Sequence, residues 1–349
     1  MALISIDSTN PIGWLRGPGF DLDFIAGTTA IAAVSGALVV MDPRLFGPIL
    51  LLDLWLLGYH HVIATYTRLC FDRESTRQHK FLIYGLPLLV LGATLGLALG
   101  FGIWVLGSIY LYWQWFHYTR QSWGVGQVYR RKSGGLVTED ERLTKAMFYL
   151  LPFWGILHRS WQEPEKFLGL EVRVIPVTGW MVDIAAVAAL AALGLWAVMR
   201  ARAFLRGEGP VAHTLHMASH IAVFSIGYLM IEDITHGWLV INIWHNAQYI
   251  LFVWLFNTKR FDGGVDAKSV FLSTISQAKN WWRYFAVCLA ITTLIYGGFL
   301  ALGPYFLAFV FPSLIIVYQT LNFHHYIVDS LIWKARKAPM QKTLGLSSD

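Results

Sequence analysis

Apolar stretches long enough to cross a lipid bilayer recur along the whole chain, and no other feature restricts its fold so severely. A spanning helix needs roughly 20 apolar residues. Segments near 24–42, 46–69, 81–100, 102–119, 174–199, 213–231, 237–256, 284–302 and 305–333 reach that range, and a shorter one lies near 146–158. With 56% hydrophobic and only 14% charged residues, the chain is far from the composition of soluble domains. The expected fold class is all-α: a polytopic transmembrane helix bundle of about ten spans, forming a single domain over 1–349 with an N-terminal arm (1–23) and a tail (334–349).

The basic residues set the expected topology. If all ten segments span, the arm and the exits of the even-numbered helices share one side. All but four of the 27 Lys and Arg then fall there, leaving Arg44, Arg159, Lys166 and Arg173 opposite. The positive-inside rule makes both termini cytoplasmic, in a multi-pass protein of a bacterial-type inner (plasma) membrane. Dropping the short segment near 146–158 would put later basic loops on the wrong side. The net charge of +6 is spread through loops rather than gathered on one module, which excludes a nucleic-acid partner. Cys70 and Cys288 form no CxxC pair, so neither a disulfide framework nor a thiolate metal site is read from them. The first 23 residues lack the pattern of a cleavable signal, and the first span is expected to act as its own insertion signal. In the loop 120–145, TEDE predicts a helix cap. The segment 159–173, with Trp161, Pro164 and Phe167, is expected to lie on the membrane surface.

Polar residues inside spans are costly and usually mark function. Here they are mostly histidines. The second span carries Asp53, His60 and His61; the fourth, Gln114 and His117; the seventh, His213, His216 and His220. The eighth carries Asn242, His245, Asn246 and Gln248, and the tenth Asn322, His324, His325 and Asp329. At about 1.5 Å per residue, His60, His61, His220 and His325 all lie roughly 10 to 13 Å from the cytoplasmic helix ends. His216/His220 and His325/Asp329 are four apart and so share helix faces. Neutral imidazole is a common ligand of iron, copper and zinc. The metal set expected from sequence is His60, His61, His117, His216, His220, His245, His324, His325 and Asp329, with Asp53, Gln114 and Asn322 as outer partners. In each HH pair one ring points roughly 100° from the other, so one ligand per pair is expected. His236 lies on the far face, away from this set.

The segments GYHH (58–61), WFHY (115–118), HMASH (216–220) and FHHYIVD (323–329) resemble those of the histidine-rich integral-membrane iron oxygenases. These are Brp/Blh-type carotene dioxygenases and membrane desaturases or hydroxylases. YHH stands here in place of the carotene enzymes' PHG-type opening. The resemblance implies an iron-dependent oxidoreductase, with one or two ions, acting on a lipophilic substrate such as a carotenoid, fatty chain or sterol-like molecule. Its partners would be the bilayer, that hydrophobic small molecule and a membrane electron donor. Haem held by paired histidines, copper and zinc stay open as cofactors. A proton-coupled transporter and a non-catalytic subunit of a membrane complex stay open as functions.

Overall fold

The structure, a computed structural model, describes residues 12–134, 139–309 and 314–346. The first eleven residues of the arm, residues 135–138 of the long loop, 310–313 within the last expected span, and 347–349 of the tail lie outside them.

Among the described residues the apolar segments are helical apart from end residues such as 174–178, which precede their helix. In chain order the helices are α1 (Pro18–Met41), α2 (Pro43–Cys70), α3 (Arg73–Gln78), α4 (Phe81–Phe101), α5 (Trp104–Lys132), α6 (Glu141–Trp161), α7 (Gly179–Leu205) and α8 (Val211–Ser225). They continue as α9 (Ile234–Arg260), α10 (Val270–Ile275), α11 (Trp282–Phe309), α12 (Leu314–Ile332) and α13 (Ala338–Leu344). Five of them, α1, α2, α4, α7 and α9, are long and apolar enough to cross a membrane. Leu51, Leu88, Leu99, Val187 and Leu294 are each more than half exposed. A soluble protein rarely tolerates so wide an apolar surface, whereas hydrocarbon suits it, because each helix satisfies its own backbone.

Helix α9 is the axis of the bundle. It is almost wholly buried and packs on α1, α2, and the π-helical turn Ile226–Met230 that follows α8. That turn and α9 meet backbone to backbone: a Cβ on Gly237 would lie 2.0 Å from the Gly227 carbonyl oxygen. Small residues permit such close approach between membrane helices. Arg159 seals the crossing. Its guanidinium, 1% exposed, donates to the carbonyls of Gly227 (2.9 Å), Glu232 (2.6 Å) and Ile231, which supplies partners that a helix end otherwise lacks. Arg159 belongs to α6, the helix containing the short segment near 146–158. Asp140 caps α6 by accepting from the Arg142 and Leu143 amides.

The loop 159–173 departs from expectation. Leu168 and Gly169, both at positive φ, turn a short antiparallel hairpin, β1 (Lys166–Phe167) and β2 (Leu170–Glu171). The hairpin folds inward and buries Phe167 against Trp238 and Tyr110, while Trp161 stays exposed. At the bundle's basic end, Asp72 ties three helix termini together. It accepts from Arg260 (2.5 Å), the Ser269 hydroxyl (3.0 Å) and the Glu74 amide (3.1 Å). Burial alone would push its carboxyl up, but the Arg260 hydrogen bond and charge, with the bonds from the Glu74 amide and Ser269, together outweigh that and hold it below the usual range.

Candidate metal centre

In α2, Asp53 precedes a π-helical turn, Leu54–Gly58, and His60 and His61 follow it. The extra residue in such a turn re-aims the side chains beyond it. Gly58 sits where a Cβ would touch Asn246 Nδ2 at 3.4 Å, so α2 lies close against α9. His61 therefore faces His245 across the contact, with ring centroids 4.9 Å apart.

Four imidazoles from four helices form one layer. His61 lies 4.5 Å from His325, and His117 lies 5.2 Å from His245 and 5.4 Å from His325, centroid to centroid. One ligand atom from each of His61, His117, His325 and Asp329 falls within 4.8 Å of the others. All four rings are buried, and among the described residues the Nε2 atoms of His61, His117 and His245 have no hydrogen-bond partner, while His325 Nε2 lies 3.4 Å from Asp329 Oδ2. A buried polar atom without a partner costs about 1–3 kcal/mol. Three such atoms in one layer, two of them on rings grouped with Asp329, are hard to reconcile with packing as their purpose.

A second layer lies one turn further along each helix. Thr65, Gln121, Tyr249 and Asp329 stand four residues after His61, His117, His245 and His325, and they meet at one carboxylate. Tyr249 donates to Asp329 Oδ1 (2.8 Å), Gln121 Nε2 donates to Oδ2 (2.8 Å), and Thr65 Oγ1 lies 3.2 Å from Oδ1. Trp333 Nε1 donates to the Tyr249 hydroxyl (2.7 Å). Two stacked layers with the same four-residue offset require α2, α5, α9 and α12 to run in the same direction. A third layer, three residues before the histidines on α5, α9 and α12, holds Gln114, Asn242 and Asn322. Trp238 Nε1 donates to Gln114 (2.8 Å), the Tyr118 hydroxyl donates to Asn242 (2.5 Å), and Asn242 donates to Asp53 (2.5 Å).

Hydrogen bonds fix which nitrogen of two rings is free. Asn246 Nδ2 faces Asp53 Oδ1 (3.4 Å), so Asn246 Oδ1 accepts from His61 Nδ1 (2.7 Å), leaving the Nε2 lone pair open. With Tyr249 donating to Asp329, Thr65 donates to the Tyr249 hydroxyl (2.5 Å), so His325 Nδ1 donates to Thr65 Oγ1 (3.1 Å) and its Nε2 lone pair is left on the side of Asp329 Oδ2, 3.4 Å away. Partners behind a ligand ring set its tautomer and orientation in metal sites generally. His117 and His245 are instead held by stacking, on Tyr326 (4.2 Å) and Tyr118 (4.3 Å) respectively.

The other predicted residues lie elsewhere. His60 turns toward α11, its Nδ1 on the Leu56 carbonyl (3.2 Å) and its ring edge-on to Phe285. His324 is fully engaged, with Nδ1 on Tyr66 (2.8 Å) and Nε2 on the Leu82 carbonyl (2.7 Å). His220 bonds Ser122 Oγ (3.1 Å) and the Phe148 carbonyl (3.1 Å), and His216 Nε2 bonds the Ser122 carbonyl (3.0 Å). His216 packs on Gly126 and Tyr129 while His220 reaches back to Ser122, so α8 runs antiparallel to α5. Its histidines sit roughly two turns past His117 toward the basic end. His213 receives Arg200 Nη2 (3.1 Å), and His236 lies against Phe46 at the opposite end. Thr65, Gln121 and Tyr249 are the site residues that spacing does not single out, and Asn246 stands among the polar residues of its span with no role assigned to it.

Two cavities flank the histidine layer. One of about 370 Å³ reaches His117, His245 and Asp329 between aromatic walls that include Trp113, Trp244 and Tyr326. The other, about 30 Å³, has room for a water-sized molecule beside His61 and His325, among Tyr59, Tyr118 and Asn242. No family model, no curated protein and no solved structure matches the chain.

Proposed function

We propose that this chain is an integral-membrane, iron-dependent oxidoreductase of the oxygenase type that acts on a lipophilic substrate. The observation that carries the reading is the grouping of His61, His117, His325 and Asp329 beside an aromatic-walled cavity, with the His245 ring in the same layer. Histidines with one carboxylate and an open side are the donor set favoured by non-haem iron. An ion held this way would supply binding and activation of O2. His61, His117, His245, His325 and Asp329 would hold it; Asn246 and Thr65 would orient two of the rings; the aromatic walls would position the substrate and exclude water. The segments that resemble the carotene dioxygenases and membrane desaturases include four of these ligands, His61, His117, His325 and Asp329. Copper and zinc suit imidazole too.

The spacing favours a bare ion over haem, because centroids 4.5 to 5.4 Å apart leave no slot for a macrocycle between two rings. In this reading all ten long helices span, both termini are cytoplasmic, the membrane is a bacterial plasma membrane, and a membrane electron donor supplies reducing equivalents. Metal analysis of detergent-purified protein, with an optical spectrum of the same sample, tests the proposal. Iron without a Soret band supports it; a Soret band, or no bound metal, overturns it.

A further inference from the structure

The larger cavity differs in character from end to end. Its inner part meets His117, His245, Gln121 and Asp329, and its flank between α5 and α12 is apolar, with Trp113, Phe116 and Ile327. Phe116 is 44% exposed on the apolar surface of the bundle, so this flank borders the region suited to hydrocarbon. At the basic end the lining changes to Arg120 and Lys334. Arg120 is exposed and Lys334 half-buried, and neither has an ion-pair partner among the described residues, so both are free to meet an anion. Arg120 stands three residues after His117 on α5, roughly 4.5 Å along the axis and on the same side of the helix. The cationic mouth is therefore only about one turn from the candidate ligands.

We infer that the cavity takes a long-chain carboxylate: the carboxylate sits on Arg120 and Lys334, the carbons nearest it pass His117, His245 and Asp329, and the tail leaves toward the bilayer past Trp113, Phe116 and Ile327. A guanidinium fork matches a planar carboxylate through two parallel hydrogen bonds, and the volume is within the roughly 300–1,000 Å³ of small-molecule sites. A neutral chain would leave both cations unpaired. The short distance from mouth to ligands places the head end of the chain, rather than its middle, at the centre. This inference rests on the metal-site reading only for what the chain meets there; the binding itself does not need the metal.

The test is competition binding of palmitate, hexadecanol and hexadecyl phosphate to full-length protein in phosphatidylcholine nanodiscs, with metal content read on the same samples. Palmitate is expected to bind about tenfold or more tighter than hexadecanol, as a charge-assisted hydrogen bond allows. Arg120→Gln with Lys334→Gln is expected to remove that preference while hexadecanol binding stays unchanged. Equal binding of palmitate and hexadecanol, or a preference that survives both substitutions, overturns the inference. Tighter binding of hexadecyl phosphate than of palmitate overturns the carboxylate assignment in favour of a phosphate amphiphile. A charge preference in metal-free protein keeps this inference and defeats the metal reading; bound metal without the preference does the reverse.

Discussion

Asp53 and His61 are joined through a single carboxamide: Asn246 accepts from His61 Nδ1 at 2.7 Å and turns its amide toward Asp53, 3.4 Å away. The two residues are eight apart on α2, with the π-helical turn between them. A buried carboxylate thus sets a ring nitrogen on its own helix by way of a residue on α9, and the far nitrogen of that ring is left open at the candidate centre.

Asn246→Leu keeps the branched shape of the side chain but leaves His61 without its acceptor. Metal affinity is expected to fall by about 10- to 100-fold, the usual consequence of losing a partner behind a ligand. Competition with a chelator measures it, and an unchanged affinity would contradict the assigned chain.

His324 and His220 each use both ring nitrogens on protein partners. Their alanine variants are therefore expected to keep full metal content. Each should lose about 1–3 kcal/mol of stability from the buried partners left unpaired, visible as a lower unfolding temperature in detergent. Loss of metal in His220→Ala would restore the wider ligand set that spacing suggests.

Gly237→Ala places a methyl group 2.0 Å from the Gly227 carbonyl oxygen. The crossing must open, at a cost of about 1–3 kcal/mol or more for an overpacked interface. Gly263→Ala, where a Cβ meets nothing within 4 Å, is the control and should behave as wild type in the same thermal assay.

Asp72 gives a pH signature outside the spans. Its folded carboxyl titrates below the usual range, the Arg260 pair and the Glu74 and Ser269 hydrogen bonds together outweighing burial. Its contribution is therefore fully present above the unfolded value of about 3.9 and is lost as pH falls through the lower folded value. Hydrogen exchange at α3 and α10 should rise in that acid window in wild type. In Asp72→Asn it should already be raised at neutral pH, and protection that is identical in both proteins would contradict the ion pair's role.

Much of this was legible in the sequence, for reasons of length and composition. Apolar runs predict helices because a bilayer-length segment must satisfy its own backbone, and Asp140 announces the start of α6. Which histidines meet was less legible. Depth along the axis places His61 and His325 at one level, while His117 and His245 enter only as polar residues inside spans, and azimuth is not given by depth. His216 and His220 lie on α8, antiparallel to α5, and point at Ser122 and Phe148 instead. Adjacent histidines separate because successive side chains diverge by about 100° around a helix, which sends His60 and His324 outward. The residues at a four-residue offset, Thr65, Gln121 and Tyr249, were visible as spacing but carry common residue types, and only their meeting at Asp329 gives them meaning. Asn246 depends on a π-helical turn that no sequence pattern here announces.

The most direct measurement is metal stoichiometry by plasma mass spectrometry for wild type and for His61→Ala, His117→Ala, His245→Ala and His325→Ala, with His216→Ala as the internal control. The account predicts about one ion per wild-type chain, most of it lost in each of the four variants, and full retention in His216→Ala. Wild type without metal, or four variants that keep it, would contradict the assignment of this layer as a metal centre.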